Sequence, residues 1–240
     1  MKVAIIGSEG MIGFDLIQYL KSSFEIVGIN RKNYKQYIGQ SFDIVINANG
    51  NSRKFWANEN ALADFEASTA SVYHSIMDFP CKTYIYLSAA DVYPDHANSP
   101  SEEAAITPEW LSPYGLHKYL SECIIRCREE NYIILRCPLM LGRKLKKGPI
   151  YDIAHGKLFV SEKSAFQMIT TKGLAEIIDT LLKQDIMGIF NIGGTGKVPL
   201  SEITTATHEG EAQTYEMDVT KLNKIYPLKS SREYLQDFYD

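Results

Sequence analysis

The sequence predicts an α/β fold, a doubly wound parallel sheet with a small C-terminal lobe for a substrate. Apolar runs of strand length alternate with longer stretches of helical periodicity, the order from which such sheets are built. The first run is followed at once by three glycines at equal spacing, Gly7, Gly10 and Gly13. With 45% hydrophobic and 22% charged residues in 240, the composition is that of an ordinary globular chain.

Residues 3–6 read as a buried strand, and the turn 7–13 opens a helix that runs to Leu20. Residues 25–29 and 43–47 are the next two strands, apolar and β-branched. A long helical stretch covers 61–77, and 83–88 is a strand that leads into a polar loop rich in Pro, Asp, Ser and Glu. A helix carrying Tyr114 and Lys118 follows, to about residue 130, and then a strand at 132–136. Residues 173–183 form a helix and 188–192 a late strand. Between them, 139–167 is the least regular segment, basic at its start and holding Gly and Pro, as in a substrate-covering insertion. With no internal repeat and no linker, 1–240 reads as one domain, its substrate elements mainly in 139–170 and 195–240.

Several classes of function are set aside by composition. The net charge of −4 argues against a nucleic-acid partner held by bulk electrostatics. No apolar run approaches the roughly 20 residues that span a bilayer. The chain starts directly in a strand without a signal pattern, so a cytoplasmic location is expected. Cys81, Cys123, Cys127 and Cys137 form no Cys-x-x-Cys pair and read as reduced, packed thiols. Cys123 and Cys127 have helical spacing, but no His or acid completes a metal site there. Trp56 and Trp110 are expected as packing anchors, His117 as surface, and the other histidines as ordinary surface or core.

The glycine turn carries chemistry. One glycine permits a tight turn, one lets the backbone approach a pyrophosphate, and the last lets helix and strand pack closely. The N-terminus of the helix then faces the negative charge. Gly7, Ser8, Gly10, Met11, Ile12 and Gly13 are the expected cradle of a dinucleotide. The second strand ends Asn30-Arg31-Lys32 with no carboxylate to repel a 2′-phosphate. NADP(H) is favoured on that ground; NAD(H) stays open, because Arg31 and Lys32 also suit a solvated turn. Ala48, Asn49 and Gly50 follow the third strand and are placed on the adenosine–ribose side. Tyr114 and Lys118 are four apart, hence on one helix face. The ammonium of Lys118 is expected to lower the phenol pKa from about 10, so that Tyr114 exchanges a proton near neutrality while hydride moves.

Taken together these residues resemble the short-chain dehydrogenase/reductases, in particular the extended branch that modifies nucleotide sugars. The resemblance extends through IYLSAADVY (85–93), ILRCPLMLG (134–142), FQMITTKGLAEI (166–177), FNIGG (190–194), VPLSEI (198–203) and DVTKL (218–222). It implies a Rossmann fold with a C-terminal substrate lobe, and a possible homodimer packed through two long helices. Tyr114 is then the general acid/base, and Lys118 holds the nicotinamide ribose. Pro138 is expected beside the cofactor, and Asp91, Tyr93, Arg143 and Lys147 at a substrate, a nucleotide-linked sugar; Tyr93 at a strand end also suits packing, and the basic residues a solvated loop.

The departures shape the expectation. Ala89 stands where the family carries the Ser or Thr that hydrogen-bonds the reacting oxygen. Ser88 is the substitute at hand, although strand alternation points it to the other face. Ala90-Asp91 replaces the Asp-Glu pair of the dehydratases, which argues against dehydration. Leu139 takes the place of the epimerases' phosphate-holding Asn, and the cluster Arg143, Lys144, Lys146, Lys147 is expected to compensate. An NADP(H)-dependent sugar reductase stands slightly ahead of an epimerase. The alternative is a cofactor-binding sensor or partner subunit whose catalysis Ala89 has impaired.

Overall fold

Alternation in the strands decides which helices cover which face. Val3, Ile5, Ile44, Ile46, Ile85, Leu87, Ile133 and Leu135 point to one side, and Ala4, Ile6, Val45, Tyr84, Tyr86 and Ile134 to the other, every one of them buried. A sheet apolar on both faces must be covered on both. The structure, a computed structural model, describes residues 1–96 and 98–240. Its main sheet has six strands, β1 (Lys2–Ile6), β2 (Glu25–Ile29), β3 (Phe42–Asn47), β4 (Cys81–Ala89), β5 (Tyr132–Cys137) and β9 (Gly188–Asn191). They lie in the order β2-β1-β3-β4-β5-β9, and all are parallel.

Helix α1 (Met11–Leu20) follows β1, and a short α2 (Tyr34–Tyr37) follows β2. After β3 come α3 (Lys54–Glu59), α4 (Ala61–Phe65), a π-helical turn at Glu66–Ala70, and α5 (Ser71–Asp78). The expected helix over 61–77 is thus present with a π-turn inside it, whereas α3 has no counterpart in the sequence reading. Helix α6 (Pro113–Arg128) follows β4; Ser112 caps it by accepting from the Gly115 N–H, and Pro113 opens it. Leu16, Leu20, Leu174, Ile178 and Leu181 of α1 and α8 cover one face of the sheet. Val72, Ile76 and Ile125 of α5 and α6 cover the other.

The rest of the chain forms smaller units at the carboxyl side of β5. β6 (Leu139–Leu141) pairs with β8 (Met168–Thr170), and α7 (Pro149–Ala154) lies between them in sequence. β7 (Ala165–Phe166) sits between β10 (Val198–Pro199) and β11 (Thr214–Tyr215). α8 (Thr171–Lys183) is capped by Thr170, α9 (Thr220–Asn223) packs near β9, and α10 (Ser231–Tyr239) opens with a Ser230/Glu233 capping box. A third apolar cluster, Leu141, Ile150, Phe166, Met168, Val198, Leu200 and Leu235, unites these pieces.

Two side chains depart from expectation. Trp110 is 75% exposed and anchors nothing. His117 is buried, not on the surface, because its Nδ1 lies 2.6 Å from the buried Asp64 carboxylate. His96 is partly buried and stacked on Tyr215 at 4.2 Å. Among the described residues no helix is long and apolar enough to cross a membrane.

Candidate active site

In an all-parallel sheet the carboxyl ends of the strands share one edge, and a crevice opens where the strand order reverses. Here the reversal falls between β1 and β3. Gly7 follows β1, Asn30 follows β2, Ala48 follows β3, Ala89 ends β4 and Pro138 follows β5, so the fold brings all five to that edge. Gly7 has φ +83°, and a Cβ there would stand 2.9 Å from the Ala48 carbonyl. A Cβ on Gly13 would stand 2.3 Å from the Gly7 carbonyl, and one on Gly10 3.2 Å from the same atom. Ser8 is buried against Gly28. Met11 and Ile12 form the first turn of α1, whose N-cap, Gly10, carries no side-chain cap. The Gly7 and Ser8 N–H groups donate to the Ile29 carbonyl and that of Gly10 to the Gly7 carbonyl, so the donors left for a pyrophosphate are those of the first turn of α1, Met11, Ile12 and Gly13.

The neighbouring loop is fixed from behind. Asn47 accepts from the Asn49 N–H at 2.9 Å and donates to Ser75 and Tyr84. Asn49 donates to Ser71 at 2.8 Å. Gly50 then passes close to the Lys118 ammonium, 3.5 Å from where its Cβ would be. Lys118 is buried, donates to the Leu87 carbonyl at 2.9 Å and lies 4.9 Å from the Tyr86 ring centroid. An ammonium in this position, with N–H groups to spare, suits ribose hydroxyls.

At the end of β2, Arg31 is exposed and has no carboxylate partner among the described residues. One acid does approach, from the glycine turn: Asn30 donates to Glu9 at 3.3 Å. The sequence reading of an acid-free ribose site needs this correction, since Glu9 is distant from Asn30 along the chain but adjacent in space.

Tyr114 is buried with Ala57 and Ala89 against it. Its phenol does not follow the expected lowering. Burial, and then the nearby Asp91 carboxylate, hold its pKa well above the ordinary value. Both influences disfavour the phenolate and leave the proton on Tyr114 in the unliganded site.

Ser88 does not replace the missing hydroxyl of Ala89. Its Oγ donates to Glu122 Oε1 at 2.5 Å, eight residues past Tyr114 and so about 12 Å along α6. Glu122 also pairs in a fork with Arg136, at 3.1 Å from Nε and 2.8 Å from Nη2. Arg136 donates on to the Tyr93 hydroxyl at 2.6 Å, which donates to Asn191 at 2.8 Å. Every member is buried, and Tyr93 is thereby assigned to this network and not to the substrate. A buried guanidinium–carboxylate pair with its remaining donors and acceptors met is tolerable; half of one is not.

The basic segment divides. The Arg143 N–H donates to Asp15 at 3.0 Å, and its guanidinium lies over the Tyr19 ring, 4.9 Å from the centroid. Lys144 lies over Phe14. Both cations lie over aromatic rings of α1. Lys147 takes the other direction and donates to Ser52 at 2.7 Å. Burial, reinforced by Arg53, lowers its pKa to about 8.

Sequence reasoning missed the polar wall beside Tyr114. Lys54, from α3, lies 2.5 Å from Asp91 and 4.3 Å from the centroid of the Tyr215 ring. Burial works against its charge, yet Asp91 and Tyr215 outweigh it and hold the ammonium above its ordinary value. The Asp91 carboxylate, expected at a substrate, is paired with this ammonium. Tyr215 also stacks on Phe166 at 5.7 Å. Cys137 lies beneath, its thiol pushed up to about 12 by burial, which makes it inert at neutral pH.

A parallel sheet with a glycine cradle at its switch point and a Tyr–Lys helix beside it defines a dinucleotide-binding α/β protein. The model of the NAD dependent epimerase/dehydratase family matches residues 3–193, and the chain belongs to that family. Solved structures share the fold over its whole length. A dTDP-4-dehydrorhamnose reductase from Clostridium acetobutylicum is 17% identical with a TM-score of 0.81, covering 100% of this chain and 99% of its own. One from Bacillus anthracis, in complex with NADP, is 16% identical with a TM-score of 0.78, covering 99% and 98%. A UDP-glucuronic acid 4-epimerase from Bacillus cereus, in complex with UDP-glucuronic acid and NAD, is 19% identical with a TM-score of 0.78, covering 100% and 98%.

Proposed function

We propose that the chain is an NAD(P)-dependent oxidoreductase that reduces a carbonyl carbon on a nucleotide-linked sugar. The observation that carries this is geometric: Tyr114 and Lys118 are buried on one face of α6, with Lys118 beside Gly50 at the edge where the glycine cradle opens, a placement suited to moving a proton as hydride is transferred. The cationic end of β2 at Arg31 favours NADP(H), and with it net reduction over a redox-neutral epimerisation. A bound nicotinamide supplies hydride. The chain's own residues do the rest. Gly7, Gly10 and Gly13 leave room for the pyrophosphate against the first turn of α1. Lys118 holds the ribose beside Gly50, and Tyr114 delivers a proton to the substrate oxygen. Arg31 supports NADP(H) over NAD(H) through a 2′-phosphate, with Glu9 opposing it. Lys147 and Arg53 favour a diphosphate-linked substrate.

The test is nicotinamide absorbance with NADPH or NADH and dTDP-4-dehydrorhamnose, run beside NAD with UDP-glucuronic acid. Ketone-dependent oxidation of the reduced cofactor, absent in Tyr114→Phe while that variant still binds NADPH, is the expected result. Interconversion of the UDP-sugar with no net oxidation makes the chain an epimerase. The second reading, a sensor or partner subunit, is favoured by Ala89 and by the engagement of Ser88 elsewhere. It predicts tight NADPH binding with no turnover on any of these compounds.

A further inference from the structure

A carbonyl seated against Tyr114 needs a second donor on its oxygen, because negative charge develops there as the carbon is reduced. Ala57 and Ala89, the buried apolar residues clustered with Tyr114, bring methyl groups and no donor. Ser88 is committed to Glu122. Lys54 is a donor linked to that cluster by two routes. Along α3 it precedes Ala57 by three residues, so the two share a helix face. Across the cleft its ammonium is tied to Asp91 at 2.5 Å. The Asp91 carbonyl packs on Gly115, next to Tyr114, so tightly that a Cβ there would stand 2.1 Å away. The Asp91 carboxylate is also the foremost charge acting on the Tyr114 phenol. The Lys54 side chain is 44% exposed, open to an incoming ligand. An ammonium has three N–H groups, and one carboxylate oxygen leaves donors free.

We propose that Lys54 is a catalytic residue that hydrogen-bonds the substrate carbonyl oxygen, in the place a hydroxyl at position 89 would take. This rests on the reductase reading above. A reduced nicotinamide held beside Gly50 and Lys118 would supply the hydride for the new C–H bond, and the C=O π pair would move onto the oxygen to which Lys54 donates. The Tyr114 proton completes the alcohol. The carbonyl gains two electrons, the nicotinamide loses two, and the Tyr114 phenolate recovers its proton from solvent. Lys54 stays charged throughout, and Asp91 keeps it aimed.

Lys54→Met should lower kcat for NADPH-dependent reduction of dTDP-4-dehydrorhamnose by about 100- to 1000-fold, the usual cost of losing one donor to a developing oxyanion. Ala89→Ser in that background should restore at least about tenfold, which a purely structural role for Lys54 would not allow. A crystal structure of Tyr114→Phe with NADPH and the same ketosugar should place Lys54 Nζ within about 3.2 Å of the carbonyl oxygen. Wild-type turnover in Lys54→Met, no rescue by Ala89→Ser, or a bound ketone beyond reach of Lys54 each overturns the proposal and leaves the reductase reading standing. If the unaltered protein binds NADPH and reduces no ketone, the reading falls and the role of Lys54 falls with it.

Discussion

Ser88 and Ala89 are adjacent, and they separate structural from chemical roles. The Ser88 hydroxyl belongs to the buried Ser88–Glu122–Arg136–Tyr93–Asn191 network. Ser88→Ala should therefore cost roughly 1–3 kcal/mol of stability, the range for a buried bond to a charged group, and leave kcat within a few-fold. Denaturant titration alongside turnover reads both quantities; a large kcat loss at unchanged stability would return Ser88 to catalysis. Arg136→Met should cost about 3–5 kcal/mol, because it strands the Glu122 carboxylate in the core. The Tyr114/Lys118 pair was legible because four residues on a helix fix a shared face whatever the rest of the chain does. The Lys54–Asp91, Asp64–His117 and Glu9–Asn30 contacts were not. Each joins residues far apart in sequence whose meeting depends on how loops cross the sheet edge. The same limit explains the misplaced Tyr93: local pattern gives a residue's element, and only packing gives its partners.

Helix α1 does two jobs, and Asp15 joins them. Its N-terminus faces the cradle, while Asp15, buried five residues from Gly10, accepts from the Arg143 N–H at 3.0 Å and the Thr171 hydroxyl at 2.7 Å. Gly142 is required there, since a Cβ would stand 2.7 Å from the Asp15 carboxylate. The helix that opens the cofactor site is thus stitched to the loop after β6 and to the start of α8. Asp15→Ala should cost roughly 1–3 kcal/mol by leaving two donors unmet. It should also raise amide exchange across 142–148 ahead of exchange in β1 or β4; uniform exchange would refute the stitch. The strands and long helices were legible because period and length agree over many residues. Helix α3 was not: six residues without a side-chain cap make no pattern that stands out from loop. What holds it is tertiary, Ala57 packed on Tyr114.

Across the whole molecule, the loop after β3 and the segment after β6 meet over the edge of the sheet through Ser52 and Lys147. Partial burial of the Lys147 ammonium, and then Arg53 beside it, lower its pKa to about 8. Two pH effects of opposite sign follow. Lys147 loses its proton near pH 8 in the folded chain and near about 10.4 when unfolded. Between those values the unfolded chain binds more protons, so Lys147 makes stability rise with pH. Over the same interval the folded site loses positive charge, so affinity for a diphosphate ligand should fall as pH passes about 8. UDP binding measured by calorimetry from pH 7 to 9.5 should show the fall, and Lys147→Arg, which keeps its charge, should flatten it. Denaturant titrations over the same range should show the opposite slope in the unaltered protein, and a weaker one in the variant. A UDP affinity that ignores pH in both proteins would move the substrate's diphosphate away from Lys147.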